Sequence, residues 1–294
     1  MTQRKYAGTW TALITPFKQD GSLDEKALRL MVERQIKGGI TGVVPMGTTG
    51  ESPTLTGEEA VRLFEIVMDQ VAGRVRVMAG TGSNCTASAV HHTENAKKAG
   101  VDCCLVVCPY YNKPTPAGLI QHYHAIADVG LPVIVYNIKG RTGINIDTDT
   151  LMQIAEHERV VGVKEASGNL DQMKEVIARR SDDFTVLCGD DGLTLDLISA
   201  GGDGVVSVAS NIIPDRVVEM VKEAMAGNRE NAKHLNNELS RIFKEIFIES
   251  NPIPVKYIMH RMGYCDLTYR LPMCPPTEKS RGILDDLIHS YKLI

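Results

Sequence analysis

The sequence predicts an α/β protein whose main part is a (β/α)8 TIM barrel with a C-terminal helical appendage. Short apolar, β-branched runs alternate eight times with segments of helical periodicity along residues 10–226. After Gly227 the strand-like runs stop, while helical patterns continue towards the end of the chain. A doubly wound open sheet is the alternative fold, but no Gly-rich dinucleotide-binding loop follows the first predicted strand.

The predicted strands are short, uninterrupted apolar runs, as expected for parallel strands that are buried on both faces. They cover residues 10–17, 41–46, 74–80, 103–109, 132–137, 160–166, 184–190 and 204–208. Each run is followed by a segment whose apolar residues recur every three or four positions, which predicts a helix. These helices cover residues 24–36, 61–71, 86–99, 117–129, 149–156, 170–179, 193–200 and 214–226.

Three further helices are predicted beyond the last strand, over residues 231–248, 252–262 and 277–291. No low-complexity linker separates them from the barrel, so we do not expect them to form an independent domain. We therefore predict a catalytic barrel over residues 1–228 and a helical region over residues 229–294 that docks on it.

Composition places the chain among ordinary globular proteins. Hydrophobic residues make up 43% and charged residues 23% of its 294 residues, with a formal net charge of −4. This balance argues against binding to nucleic acid or to an anionic membrane, and no apolar run has the length of a membrane span. The seven cysteines form no CxxC pair, so we favour reduced, partly buried thiols over a disulfide framework or a metal site. We expect a cytoplasmic protein.

Lys164 ends the sixth predicted strand, and the carboxyl ends of barrel strands are where such folds carry their chemistry. Apolar surroundings disfavour the charged form of a lysine, and a larger share of neutral amine makes a better nucleophile. Lys164 is thus a candidate for a Schiff-base nucleophile. Taken alone, such a lysine more often reaches into water or pairs with a neighbour such as Glu165. The other strand ends must decide between these interpretations.

The loop after the second strand reads GTTGES over residues 47–52. The hydroxyls of Thr48 and Thr49, together with backbone N–H groups, can hold a carboxylate or phosphate, and Thr48 can also pass a proton. The alternative is an ordinary turn rich in Gly and Thr. The motif is too short for a Walker P-loop and lacks its lysine.

Tyrosines and an arginine follow two further strands. Tyr110 and Tyr111 come after the fourth strand, and Tyr136 lies at the end of the fifth. A tyrosine hydroxyl at a strand end can shuttle protons, although each of these residues alone is more often an edge-of-core side chain. Arg141, in the loop after the fifth strand, offers a planar fork for a carboxylate.

Two other groups are weaker candidates. The GDDG sequence at residues 189–192 has carboxylates for a metal, but with no histidine nearby in sequence a turn is the better interpretation. Four histidines fall on predicted helices without the Glu of an HExxH motif, and we expect them on solvated faces. They are His91, His92, His122 and His124.

Five ordered motifs resemble those of the pyruvate-dependent class I aldolase and lyase family. They are GTTGE at residues 47–51, YYN at 110–112, YN at 136–137 with GRTG at 140–143, VKEA at 163–166, and NPIPVK at 251–256 with YRLP at 269–272. The resemblance covers essentially the whole chain, and the ordered set is far more specific than any one motif. Within the family, the chain looks like the branch that condenses pyruvate with aspartate semialdehyde for lysine biosynthesis.

The resemblance implies a role for each matching residue. Lys164 would form the Schiff base with pyruvate. Thr48, Tyr136 and Tyr111 would form a proton relay, with Tyr111 reaching in from a neighbouring subunit. Thr48 and Thr49 would hold the pyruvate carboxylate.

The resemblance also implies that Arg141 orients the carboxylate of the aldehyde substrate and that the backbone of Val206 shapes the pocket beside the lysine. Members of the family are usually homotetramers built as dimers of dimers, and none of the implied chemistry uses a cofactor. One departure is Lys139, where the family usually has proline. Because proline would stiffen this loop, we expect Lys139 to loosen the presentation of Arg141.

A second departure concerns inhibition by lysine. In lysine-sensitive relatives the inhibitor binds near the tyrosine that matches Tyr110, and Ser52 and Asn84 also match that site. A histidine or tryptophan usually replaces Gly57 there, and relatives have a second histidine and a glutamate at the positions of Ala60 and Ser88. We therefore expect little inhibition by lysine.

The resemblance predicts a lyase that condenses pyruvate with aspartate semialdehyde. One alternative is another pyruvate aldolase, such as N-acetylneuraminate lyase, but Arg141 and Thr49 argue against that branch. Another is a non-catalytic barrel that acts as a binding or regulatory subunit, which the intact set of Lys164, Tyr136, Thr48 and Tyr111 disfavours.

Overall fold

A computed structural model describes residues 4–294, so residues 1–3 of the predicted barrel segment lie outside the described part. Eight parallel strands close into a barrel in chain order. They are β1 (Gly8–Ala12), β2 (Gly42–Val44), β3 (Arg76–Gly80), β4 (Cys103–Val107), β5 (Val133–Asn137), β6 (Val160–Glu165), β7 (Thr185–Cys188) and β8 (Gly204–Ser207). Because β1 pairs with both β2 and β8, the predicted barrel is confirmed and the open sheet is excluded.

Twelve α-helices are present in the described chain. They are α1 (Glu25–Lys37), α2 (Gly57–Val71), α3 (Thr86–Lys98), α4 (Pro116–Ala127), α5 (Lys139–Thr142), α6 (Thr148–Ile154), α7 (Leu170–Arg179), α8 (Thr194–Ser199), α9 (Pro214–Met225), α10 (Arg229–Glu245), α11 (Ile253–Arg261) and α12 (Glu278–Ser290). All but α5 match a predicted helix to within a few residues. Asp24, Thr56, Thr115 and Asp147 cap four of them, their side chains accepting bonds from first-turn N–H groups.

The first strand is shorter than predicted and starts earlier. Gly8 lies against Gly204, where a Cβ on Gly204 would be 2.0 Å from the carbonyl oxygen of Gly8. This close approach of two backbones begins the β1–β8 ladder at a glycine that carries no strand signal. After Ala12 the chain leaves the sheet, and residues 13–17 are buried as a loop. Apolar character therefore marked burial there, while pairing is limited to the Leu13 N–H, which donates to Val44 O at 3.1 Å, and an isolated bridge between Phe17 and Leu23.

The C-terminal helices pack against the barrel and against one another. α10 lies on α8 and α9, and α12 contacts both α10 and α11. The appendage predicted at the C-terminal end is present, while the exact boundary at residue 228 stays a prediction. Within residues 4–294, no helix combines the length and the apolar character that crossing a bilayer requires.

The prediction of solvated histidines is only partly right. His91 is exposed, but His92 is half-buried and His122 is buried, with its Nδ1 2.9 Å from the hydroxyl of Thr86. Burial lowers the pKa of His122 to about 4, because the charged ring loses its hydration. The prediction failed because these rings face a neighbouring helix or loop, which single-helix periodicity does not show.

Candidate active site

Lys164 and Tyr136 are paired residues on neighbouring strands, β6 and β5. Lys164 is only 5% exposed, and its Nζ lies 4.1 Å from the centroid of the Tyr136 ring. Gly189, after β7, makes room for the lysine, because a Cβ there would be 3.0 Å from Lys164 Cε. The amine is therefore held at the rim of the barrel against an aromatic face.

The next pair along the same strands, Asn137 and Glu165, faces the opposite side of the sheet. Asn137 Nδ2 donates to Glu165 Oε2 at 3.1 Å, the Ser167 backbone N–H donates to Oε1 at 2.7 Å, and Gln172 Nε2 donates to Oε2 at 3.3 Å. Glu165 thus bonds to these neutral donors and not to Lys164. Burial raises the pKa of Glu165, and the hydrogen bonds oppose that rise.

The loop after β2 is folded by its own backbone. The N–H of Gly50 donates to Gly47 O at 3.0 Å, and the N–H of Glu51 donates to Thr48 O at 3.1 Å. Glu51 has φ 54°, in the left-handed region. Thr49 is buried, and its Oγ1 accepts a hydrogen bond from Asn251 Nδ2 at 2.9 Å. The two threonines are therefore presented by a tight, anchored turn.

Arg141 lies on α5, a single helical turn where the sequence predicted a loosened loop. The hydroxyl of Thr142 lies within hydrogen-bond distance of two carbonyl oxygens, Ile138 O at 3.0 Å and Ile144 O at 2.9 Å. Gly143 ends the turn with φ 79°. Arg141 Nη2 donates to Asn251 O at 3.1 Å. Lys139 is the first residue of this turn, so a regular backbone presents the arginine without the usual proline.

These elements enclose a cavity of about 90 Å³ at the carboxyl ends of the strands. Five of the predicted site residues line it: Lys164, Tyr136, Thr48, Thr49 and Arg141. Val206 does not; it lies within β8, and Val208 contributes the wall on that side. The cavity thus places an amine beside hydroxyl groups and a guanidinium, which suits covalent chemistry on a small carboxylate.

Tyr111 lies outside this cavity. Its side chain is 88% exposed, and its backbone has φ 74°, in the left-handed region that costs a non-glycine residue conformational energy. Such strain persists only where surroundings impose it, and it concentrates at functional positions. Within one chain, two of the three residues of the predicted relay, Thr48 and Tyr136, therefore line the cavity.

A second cavity of about 370 Å³ adjoins the first and shares Thr48 and Arg141 with it. Tyr110, Gly57, Ala60 and His92 also line it. The sequence analysis did not place His92 here, because a helical histidine without a motif carries no signal for a pocket. Burial lowers the pKa of His92, so its ring is held towards the neutral form.

The Asp residues after β7 act within the fold. Asp190 starts a 3-10 turn and accepts from the Gly192 N–H at 2.9 Å. Asp191 is buried and accepts from Ser207 Oγ at 2.5 Å and from the Val208 N–H at 2.9 Å, which fastens the end of β8. Residues 4–294 contain no group of three or more His, Cys, Asp or Glu side chains arranged to hold a metal ion.

Sequence reasoning missed a buried ion pair that anchors the β2 loop. Lys256 Nζ, on α11, donates to Glu51 Oε1 at 2.6 Å, and the side chains are 0% and 1% exposed. The ammonium also lies 4.3 Å from the ring centroid of Phe17, and the Arg270 N–H donates to Glu51 Oε2 at 3.2 Å. Burial lowers the pKa of Lys256, while Glu51 opposes that change. The available signal was a lysine inside the apolar segment 252–259.

The chain matches the model of the "Dihydrodipicolinate synthetase family" over residues 5–291. It is 47% identical to a 4-hydroxy-tetrahydrodipicolinate synthase of Chlorobium phaeobacteroides, with all of both chains covered.

Two solved structures are similar along nearly the whole chain. Dihydrodipicolinate synthase from Aquifex aeolicus has a TM-score of 0.96 and 41% identity, covering 98% of this chain and 99% of that one. The enzyme from Cyanidioschyzon merolae with lysine bound has a TM-score of 0.96 and 38% identity, covering 99% and 100%.

The buried pair gives a test of how the loop is anchored. We expect Lys256→Met to destabilise the fold by about 3–5 kcal/mol, because Glu51 would keep an uncompensated buried charge. Glu51→Gln combined with Lys256→Met should recover part of that loss. Urea unfolding measures both, with Arg62→Met as the control, since the Arg62–Glu25 pair is exposed and its loss should cost much less. Equal losses of stability for Lys256→Met and Arg62→Met would contradict this role of the buried pair.

Proposed function

We propose that this chain, which belongs to the dihydrodipicolinate synthetase family, condenses pyruvate with L-aspartate 4-semialdehyde to give 4-hydroxy-tetrahydrodipicolinate in lysine and diaminopimelate biosynthesis. The observation that carries the proposal is the cavity at the ends of three strands, which is lined by Lys164, by the hydroxyl-bearing Thr48, Thr49 and Tyr136, and by Arg141. The enzyme is a lyase that works through a Schiff base, as a class I aldolase does.

Lys164 begins the cycle. Its neutral amine attacks the ketone carbon of pyruvate, a C–N bond forms, and water leaves to give the imine. The Tyr136 ring beside Nζ stabilises the positive charge of the protonated imine. Thr48 and Thr49 hold the pyruvate carboxylate. Because Thr49 Oγ1 accepts from Asn251, its own hydrogen is free to donate to that carboxylate.

Carbon–carbon bond formation follows. A relay of Tyr136, Thr48 and Tyr111 removes a proton from the methyl carbon to give an enamine, which attacks the aldehyde carbon while the aldehyde oxygen takes up a proton. Arg141 holds the carboxylate of the second substrate. The amine of that substrate then attacks the imine carbon, closes the ring and displaces Lys164. Every step is a proton transfer or a change of C–C, C–N or C–O bonds, with water as the leaving group of imine formation, so electrons balance without an oxidant.

We also propose a homotetramer, a dimer of dimers, in which Tyr111 completes the site of a neighbouring subunit. Its exposure and strained backbone in a single chain support a position at an interface. The backbone of Val206 remains a proposed pocket residue through its place in β8 beside Val208. Residues 229–294 would act with the barrel as one catalytic unit, since Asn251 and Lys256 contact its loops. We place the enzyme in the cytoplasm, where its buried thiols stay reduced.

Schiff-base formation is tested by reduction. Borohydride with pyruvate should add a reduced pyruvyl group to the peptide that contains Lys164, as measured by mass spectrometry. Lys164→Arg is the matched control, since it keeps the positive charge but cannot form an imine, and it should remain unlabelled. Labelling of another lysine, or none at all, would sink the mechanism. Enzyme that forms this trapped adduct should turn over aspartate semialdehyde and not N-acetylmannosamine, and this result would identify the second substrate.

The role of Tyr111 is tested by mixing subunits. Tyr111→Phe and Lys164→Ala should each be nearly inactive, and reassembly of the two should restore part of the activity, because a hybrid site then has Tyr111 from one subunit and Lys164 from the other. Mixing Lys164→Ala with the Tyr111→Phe/Lys164→Ala double variant should restore nothing. If the first mixture stays as inactive as its parents, Tyr111 does not act between subunits.

Weak inhibition by lysine follows from the walls of the second cavity. Gly57 and Ala60 line this cavity and provide no ring there. Ser88 provides no carboxylate at the position where the resemblance implies a glutamate. Loss of one charge-assisted hydrogen bond weakens binding roughly ten- to a hundred-fold. Initial rates at fixed substrates should therefore change little up to millimolar L-lysine. Half-inhibition below that would show that other side chains bind it.

Lysine sensitivity should be gained by Gly57→His combined with Ser88→Glu. The histidine has room, because no atom lies within 4 Å of a Cβ built on Gly57. The unmodified enzyme, measured in the same rate assay, is the control for the double variant.

A further inference from the structure

Asn251 lies in the connection between α10 and α11 and contributes to the wall of the active-site cavity. It is 6% exposed and contacts two site residues at once. Its side-chain Nδ2 donates to Thr49 Oγ1 at 2.9 Å, and its main-chain oxygen accepts from Arg141 Nη2 at 3.1 Å. Asn251 therefore lies between the loop proposed to hold pyruvate and the arginine proposed to hold the second substrate.

The remaining polar atom of this side chain, Oδ1, has no protein partner. It is buried, and no donor within residues 4–294 bonds to it. A buried carbonyl without a hydrogen bond costs free energy, and the great majority of such atoms in proteins are paired. Asn251 is one of the residues that line the cavity, so a bound ligand that supplies an N–H or O–H donor would satisfy this acceptor.

The chemistry of the two substrates limits what that donor is. Pyruvate carries only a carboxylate and a ketone, which are acceptors. Aspartate semialdehyde carries a carboxylate, an aldehyde and an α-ammonium, and only the ammonium donates N–H bonds. The side chains that line the cavity, within the described chain, include no Asp or Glu to receive this cation. An amide oxygen beside Arg141 is therefore a suitable acceptor.

The positions of the two groups also match those on the substrate. The α-carboxylate and the α-ammonium of an amino acid are attached to the same carbon atom. Arg141 offers a guanidinium for the carboxylate, and Asn251, bonded to that guanidinium through its own backbone, offers Oδ1 for the ammonium. One residue pair can therefore receive both charged groups of an α-amino acid.

We infer that Asn251 Oδ1 accepts a hydrogen bond from the α-ammonium group of the aldehyde substrate and so selects aldehydes that carry an α-amino group. This inference rests on the proposed function of the same site. The bond also restrains the nitrogen that later closes the ring. Thr49 and Arg141 fix the side chain before the substrate binds, so little ordering is needed on binding.

The test compares two aldehydes that differ only in the amino group. Aspartate semialdehyde is the substrate, and succinate semialdehyde, which lacks the α-amino group, is measured as a competitor. Asn251→Leu keeps a similar size and removes the acceptor. We expect it to lower kcat/KM for aspartate semialdehyde roughly ten- to a hundred-fold, while the inhibition constant of succinate semialdehyde changes far less. Asn251→Asp keeps an acceptor and adds a negative charge, and it should increase the preference for the amino-bearing aldehyde.

A purely structural role through Thr49 would give a different result. Losing that contact would weaken the binding of both aldehydes by similar factors and would slow trapping of pyruvate on Lys164. This pattern would overturn the inference. If Asn251→Leu does not fold, Asn251→Asp decides alone, since an unchanged or reduced preference would overturn it as well. Trapping of pyruvate by the unmodified enzyme is measured first. Its failure would reject the proposed function, whereas normal trapping with equal loss for both aldehydes would reject only the role of Asn251.

Discussion

The active site depends on closure of the parallel barrel. Because all eight strands run in one direction, their carboxyl ends meet at one rim, and groups distant in the chain become neighbours there. Thr48, Tyr136 and Lys164 follow or end different strands, yet they line one small cavity. Closure itself relies on the contact between the backbones of Gly8 and Gly204, a spacing that a side chain on Gly204 would prevent.

Residues on both faces of β5 and β6 stabilise the structure around that cavity. On the inner face, Tyr136 lies beside Lys164, and on the outer face Asn137 bonds to Glu165 one residue further along. The outer bonds stabilise the register of the same two strands that carry Tyr136 and Lys164. The C-terminal region adds a second restraint, because Asn251 and Lys256 fix the loop after β2. Barrel and appendage are thus both needed to describe the site.

Residues with a strong local pattern could be predicted from the sequence. Uninterrupted apolar runs located all eight strands, and Lys164 was identified because a charge ends an apolar strand. Asn251 and Glu51 were missed as site residues, since their importance arises from contacts with distant parts of the chain that no local pattern records. The buried position of His122 was not predicted for the same reason, because its partner Thr86 lies on another helix. Resemblance to a family supplied roles for Tyr111 and Arg141, which spacing alone left open.

The separation between Glu51 and Lys256 has a consequence for how the enzyme matures. Their ion pair joins residues 205 positions apart, and a ribosome releases the chain from its N-terminal end. All eight strands therefore leave the ribosome before the cation that neutralises Glu51, and before Asn251 reaches Thr49. The loop after β2 therefore gains its full anchoring only after all eight strands have been synthesised.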